Sequence, residues 1–306
     1  MNPAAQRLAK LRQTMREHNL DAWIIPSADP HLSEYLPEHW QARVYFSGFT
    51  GSVGTLVVTA DKAGLWADSR YWEQAAHQLQ GSGIELQKVG EVAPYTDWLA
   101  AELPNGAAAG VAADMLSLTA KRQLETAFAA KNIRLDVSRD IADAVWADRP
   151  ALPQETVFPH DAAFVSETAA AKLARVRAAM KEQGAAWHLI SSLDDTAWLT
   201  NLRGSDVPYN PVFLSYLLIG TDSAVLFVDE AKLNPASRAL LAEAGITTAP
   251  YAAVREALGK ISDGLLVNPD KTAVSTLQLM PSESRLIENI NPSTLFKSVK
   301  SAADLD

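Results

Sequence analysis

The sequence predicts an α/β protein made of two structurally related domains, each a mixed sheet flanked by helices, and three observations predict it. Short runs rich in Val, Ile, Leu and aromatic residues alternate with segments whose apolar residues recur three and four positions apart. A proline-rich stretch without clear periodicity, ADRPALPQETVF at 147–158, interrupts the 306-residue chain near its middle. The order of elements before that break is replayed after it. Each half then approaches the usual domain size of about 150 residues, and the expected layout is a first domain at 1–150, a linker at 151–165, a second domain at 166–300 and the start of something further at 301–306.

In the first half, Pro3 opens a helix whose Leu8, Leu11 and Met15 lie on one face, and Asn19 stops it. Residues 22–25 read as a buried strand ended by Pro26, which lacks a ladder donor. Residues 27–43 read as polar loop with a helical turn. Gly48, Gly51 and Gly54 then lead into a hairpin of strands 55–59 and 64–67. Helices are expected at 69–79, 95–103 and 118–131, and strands at 85–89, 110–113 and 133–137.

The second half repeats this plan. Leu173, Val176 and Met180 restate the spacing of Leu8, Leu11 and Met15; AWHLI (186–190) echoes AWIIP (22–26). LTNLRGS (199–205) lies over FSGFTGS (46–52), and DSAVLFVD (222–229) over DKAGLWAD (61–68). Four blocks in one order, with gaps confined to loops, indicate an internal duplication. Helices at 235–244 and 252–261 and strands near 247 and at 264–267 follow, then apolar pieces around Leu277 and Leu286; residues 296–306 look like a helix beginning.

Composition removes several function classes. A net charge of −9, with no Lys/Arg run, repels a phosphate backbone, so nucleic acid is not an expected partner. The absence of cysteine excludes disulfides, thiolate metal sites and a thiol nucleophile, and fits a reducing compartment. The N-terminus has no apolar signal core and no run approaches the roughly 18 apolar residues of a membrane span. The expected location is cytoplasmic.

Catalytic patterns are also lacking. The six histidines are scattered, without HExxH or HxH, and there is no GxSxG. No catalytic residue, bound metal or cofactor is therefore expected in this chain. His188, inside a strand, reads as a core histidine. The Gly48 series precedes a strand rather than opening a helix, so it reads as a tight connection. Asp68 or Ser69 reads as a helix cap, as do Asp194 and Asp195; Trp198 reads as core. The least ordinary stretch is NLRGSDVPYNPVF, 201–213, a loop between two apolar runs. Arg203 and Asp206, three apart, invite an ion pair that either staples the loop or presents a guanidinium to a ligand.

That stretch, with LDDTAWL before it, resembles the second N-terminal domain of three-domain Xaa-Pro aminopeptidases, the aminopeptidase P group of the creatinase/prolidase superfamily. IIPSADPHLSEY (24–35), FSGFTGSVGTLVVT (46–59), LWADSRYW (65–72) and VWADRP (145–150) extend the resemblance across nearly the whole chain. It implies two creatinase N-terminal-like domains leading into a "pita-bread" catalytic domain that the chain does not include. In such proteins that domain binds two divalent cations, often manganese, and removes the N-terminal residue preceding proline. The resemblance further implies that the front domains shape access to the site and support a homodimer, with Arg203, Asp206, Tyr209 and Asn210 as substrate-facing candidates. The alternative is a stand-alone binding or assembly module without peptidase activity.

Overall fold

Helix α1 (Pro3–Glu17) begins the computed structural model, which describes residues 2–300. Asn2 caps it by accepting from the Ala4 amide at 2.8 Å, Pro3 occupies the first turn where no donor is needed, and Leu8, Leu11 and Met15 are buried. Asn19 then takes a φ of 53°, which lets the Leu20 amide reach the Met15 carbonyl at 2.9 Å and turns the chain into strand β1 (Ala22–Pro26). Helix α2 (Ala42–Ser47) follows, then β2 (Thr55–Thr59), β3 (Ala63–Ala67), α3 (Trp72–Gln78), β4 (Glu85–Lys88), α4 (Tyr95–Glu102), β5 (Ala108–Val111), α5 (Leu118–Phe128), β6 (Arg134–Asp136) and α6 (Ile141–Val145).

These elements belong to one of two compact units, Met1–Leu152 and Pro153–Asp306. In the first, the sheet order is β4-β3-β2-β1-β5-β6. Strand β1 runs antiparallel to β2 and parallel to β5, so it sits inside the sheet with Ala22 through Ile25 all buried. That is why AWII shows no apolar–polar alternation. The core gathers Leu8, Leu11 and Met15 of α1 against Phe46, Leu56 and Leu65.

The second unit contains β7 (Phe158–Pro159), α7 (Ala169–Glu182), β8 (Trp187–Ile190), α8 (Leu193–Thr200), β9 (Leu202–Arg203), β10 (Tyr216–Gly220), β11 (Ala224–Phe227), α9 (Pro235–Glu243), β12 (Thr247–Ala249), α10 (Val254–Leu258), β13 (Leu265–Val267), β14 (Leu286–Glu288) and α11 (Pro292–Ser298). Its larger sheet has the order β12-β11-β10-β8-β13-β14, with β8 antiparallel to β10 and parallel to β13. Order and direction repeat those of the first sheet. The duplication also extends to backbone corners. Gly184 takes a φ of 66° after α7 as Asn19 does after α1, and Ala185 bonds Met180 as Leu20 bonds Met15. Gly48 and Asn201, aligned in the LTNLRGS/FSGFTGS pair, end α2 and α8 with φ of 73° and 54°.

Several expectations change. Residues 151–165 are not all linker: the Val157 amide bonds the Lys232 carbonyl at 2.9 Å, and Phe158–Pro159 pairs with Leu202–Arg203. These bonds satisfy backbone that a free linker would leave to water. Helices α2 and α6 lie where no helix was expected, the latter capped by Asp140 on the Ala142 amide. Asp194 and Asp195 do not cap α8. Ser192 occupies that position without a side-chain bond, Asp194 pairs with Lys297, and Asp195 turns inward. The helix expected to begin at 296 starts earlier, as α11, while 301–306 lie outside the described residues. Asp68 does cap its helical turn, accepting from the Arg70 amide, and His188 is fully buried.

Candidate functional site

The loop after α8 begins at Asn201, and its left-handed backbone is one that asparagine tolerates better than most residues. Its side chain fixes the corner: Nδ2 donates to the Glu167 carbonyl at 3.0 Å, and Oδ1 accepts from Lys172 Nζ at 2.6 Å. Gly204 is required in the turn beyond β9, because a Cβ there would lie 2.7 Å from Phe213 Cβ and 3.1 Å from the Val212 carbonyl. The loop then closes on itself. Asp206 N donates to the Val212 carbonyl at 3.2 Å, Asn210 N to Val207 at 3.2 Å and Val212 N to Asn210 at 2.8 Å.

Asp206 is the internal anchor. Its side chain is fully buried; Oδ2 accepts from the Leu214 amide at 2.6 Å and pairs with Lys232 Nζ, itself buried. Burial pushes this carboxyl above its ordinary range, against the pull of Lys232 and the Leu214 amide. The expected Arg203–Asp206 pairing is thus replaced by Asp206–Lys232. Arg203 instead donates from Nη1 to the carbonyls of Ala197 and Leu202, both at 2.9 Å. Two backbone acceptors, one in α8 and one in β9, hold the guanidinium away from the carboxylate.

The four candidates therefore separate. Asp206 is inside and serves the loop, Arg203 is half-buried beside α8, Asn210 braces the turn through its backbone, and Tyr209 stands fully exposed at 108% with a φ of 60°. A bulky residue in that region is strained, and here the buried ion pair and turn bonds flanking it keep it so. Lys232 and Lys172 escaped sequence reasoning. Lys172 left a trace: it stands four before Val176 and eight before Met180, on the buried stripe of α7. Lys232 left none, since a lone lysine near a turn usually faces water.

A second polar centre joins α8 to α11. Asp195 accepts from Ser192 Oγ, Asn291 Nδ2 and Thr294 Oγ1, and lies 2.9 Å from Lys297 Nζ. Burial alone would raise its pKa, but Lys297 and these donors hold it below the usual value. Nearby, the His188 imidazole donates from Nδ1 to the Leu266 carbonyl at 2.9 Å, and burial lowers its pKa to about 4. Among the described residues no group of three or more His, Asp or Glu is placed to hold a metal ion, and no helix is long and apolar enough to cross a membrane.

Comparison with known proteins gives a consistent picture. Two models described as Creatinase/Prolidase N-terminal domain match residues 7–143 and 148–304. A probable Xaa-Pro aminopeptidase P from Coccidioides posadasii is 35% identical over 99% of this chain and 51% of its own length. Human Xaa-Pro aminopeptidase 2 is 33% identical over 97% of this chain and 46% of its own. The crystal structure of X-prolyl aminopeptidase from Caenorhabditis elegans, described as a cytosolic enzyme with a di-nuclear active site, superposes with a TM-score of 0.93 at 28% identity, covering 99% of this chain and 52% of that one. The chain spans about half the length of these relatives and corresponds to their N-terminal part.

Proposed function

Since the chain belongs to the creatinase/prolidase N-terminal domain family in both of its halves, we propose that it is the non-catalytic front of an Xaa-Pro aminopeptidase, shaping access to a catalytic site carried elsewhere in the whole protein and supporting a homodimer. The observation that carries this reading is the 201–213 loop. Its interior is pinned by the buried Asp206–Lys232 pair while the Tyr209 ring is wholly exposed on a strained backbone. Pre-organisation of an exposed aromatic suits a surface that positions a peptide, because the ordering cost is met before binding.

In the whole protein, substrates would be peptides with proline second, and two divalent cations, manganese among the candidates, would activate a water. The described residues do not fit such a metal pair, so no chemical step is assigned to them. Their part is to hold Tyr209 in place, with Asp206 and Asn210 bracing the turn. A cytoplasmic location accords with the absence of cysteine and with the cytosolic C. elegans relative.

The test is kinetic. This chain alone, supplied with manganese, should not cleave Xaa-Pro peptides. In the whole protein, Tyr209→Ala should lower kcat/KM about tenfold, roughly the 1.4 kcal/mol of one good contact, with unfolding unchanged. Cleavage by the chain alone, or full activity of the variant, would overturn the proposal.

A further inference from the structure

We propose that the cavity beside Arg203 in the second unit, between the 160–167 segment, α7, α8 and α11, binds a small carboxylate. Its volume is about 240 Å³. Lys172, Arg175, Arg203 and Lys300 bring four positive charges to its lining, against the single carboxylate of Glu167, in a chain whose net charge is −9. Positive potential concentrated in one concave place on an acidic chain is what selects an anion.

The donors differ in how far the protein already uses them. Arg175 pairs with Glu167 at 2.8 Å and lies 4.3 Å above the Phe296 ring. Lys172 donates to the Trp198 carbonyl and to Asn201 Oδ1. Arg203 uses Nη1 for two carbonyls, while its Nε and Nη2 make no hydrogen bond among the described residues. Because Nη1 is held, the remaining edge of the guanidinium is a fixed planar fork, the geometry that meets a carboxylate with two parallel bonds. His160, stacked on Phe164 at 5.9 Å, has its pKa lowered by burial and by the Arg203 charge, so at neutral pH it adds a polar edge without another charge.

Phe164, Trp198 and Phe296 also lie in this lining, but Lys172 sits 4.2 Å above the Trp198 ring and Arg175 covers Phe296, so the wall is mainly polar with a smaller apolar part. The Arg203 fork meets both oxygens of a carboxylate at once, whereas inorganic phosphate brings further charged oxygens that this one fork does not match. This inference goes beyond the front-domain reading and stands whether or not the chain precedes a peptidase.

Calorimetric titration of the 306-residue chain with 3-phenylpropanoate, its neutral amide and inorganic phosphate tests it. The acid should bind, the amide should not, and phosphate should bind more weakly than the acid. Arg203→Gln should weaken the acid about tenfold, and Arg203→Lys, which keeps the charge and loses the fork, should weaken it by about threefold. Absence of binding by the acid, equal binding by the amide or by phosphate, or an unchanged affinity in either variant would overturn the assignment. Near-ultraviolet circular dichroism establishes that each variant is folded; should Arg203→Gln not fold, the affinity of Arg203→Lys decides between the same two outcomes.

Discussion

At the scale of single residues, the second unit relies on ionisable groups that it has removed from water. Lys232 and Asp206 show the risk: each is buried, and each is tolerable because of the other. Lys232→Met keeps the stem and deletes the charge, so it leaves the Asp206 carboxylate stranded. We expect a loss of about 3 to 5 kcal/mol at neutral pH, read as a shift of the denaturation midpoint. A wild-type midpoint in this variant would show that the pair contributes nothing. His188 makes stability depend on pH in a definite direction. Its folded pKa of about 4 lies below the ordinary 6.5, so between those values the unfolded chain holds a proton that the folded one does not. Stability is complete above about 6.5 and falls as the pH drops toward 4, by about 3 kcal/mol in all. His188→Gln should flatten that stretch of the stability–pH curve, and an unaltered slope would assign it to other groups.

At the scale of elements, equivalent corners in the two units are held by different means. In the first unit Arg43, buried and lowered to about 10 by desolvation, donates to Ser27 Oγ at 2.7 Å, to the Phe49 carbonyl at 2.8 Å and to the Gly51 carbonyl. In the second, Lys172 and Asn201 do the equivalent work at the end of α8. What both corners share is a glycine with no room for a side chain. A Cβ on Gly51 would press on the Phe49 and Tyr71 rings, and one on Gly204 on the Phe213 backbone and side chain. Gly51→Ala and Gly204→Ala should therefore each destabilise by about 1 to 3 kcal/mol, measured by urea unfolding. Neutrality at either position would mean that its corner relaxes freely.

At the scale of the whole molecule, the duplicated α/β plan was legible because it rests on local signals. The three-then-four spacing of Leu8, Leu11 and Met15 and of Leu173, Val176 and Met180 marks two helices, and Ala22–Pro26 and 186–190 mark the strands that follow them. Family membership was legible for a related reason: contiguous stretches such as NLRGSDVPYNPVF carry the resemblance. The candidate site was read less well. Asp206 pairs with Lys232, 26 positions away, and Asp195 with Lys297, about a hundred away. Spacing along the chain carries no trace of such partners, and proximity to Arg203 misdirected the reading. Helix α6 was overlooked because five residues give no period to detect.

Gly48 and Asn201 stand at the same bend of the two copies, yet only asparagine brings a side chain to it. Placing glycine at 201 would relax the backbone and at the same time untie Glu167 and remove an acceptor from Lys172. The two copies thus turn the same bend at different cost: glycine takes it freely, while asparagine takes it with a tether to Glu167 and Lys172. At this position the twin units are therefore not interchangeable parts: a glycine grafted from the first would leave the second without its tether.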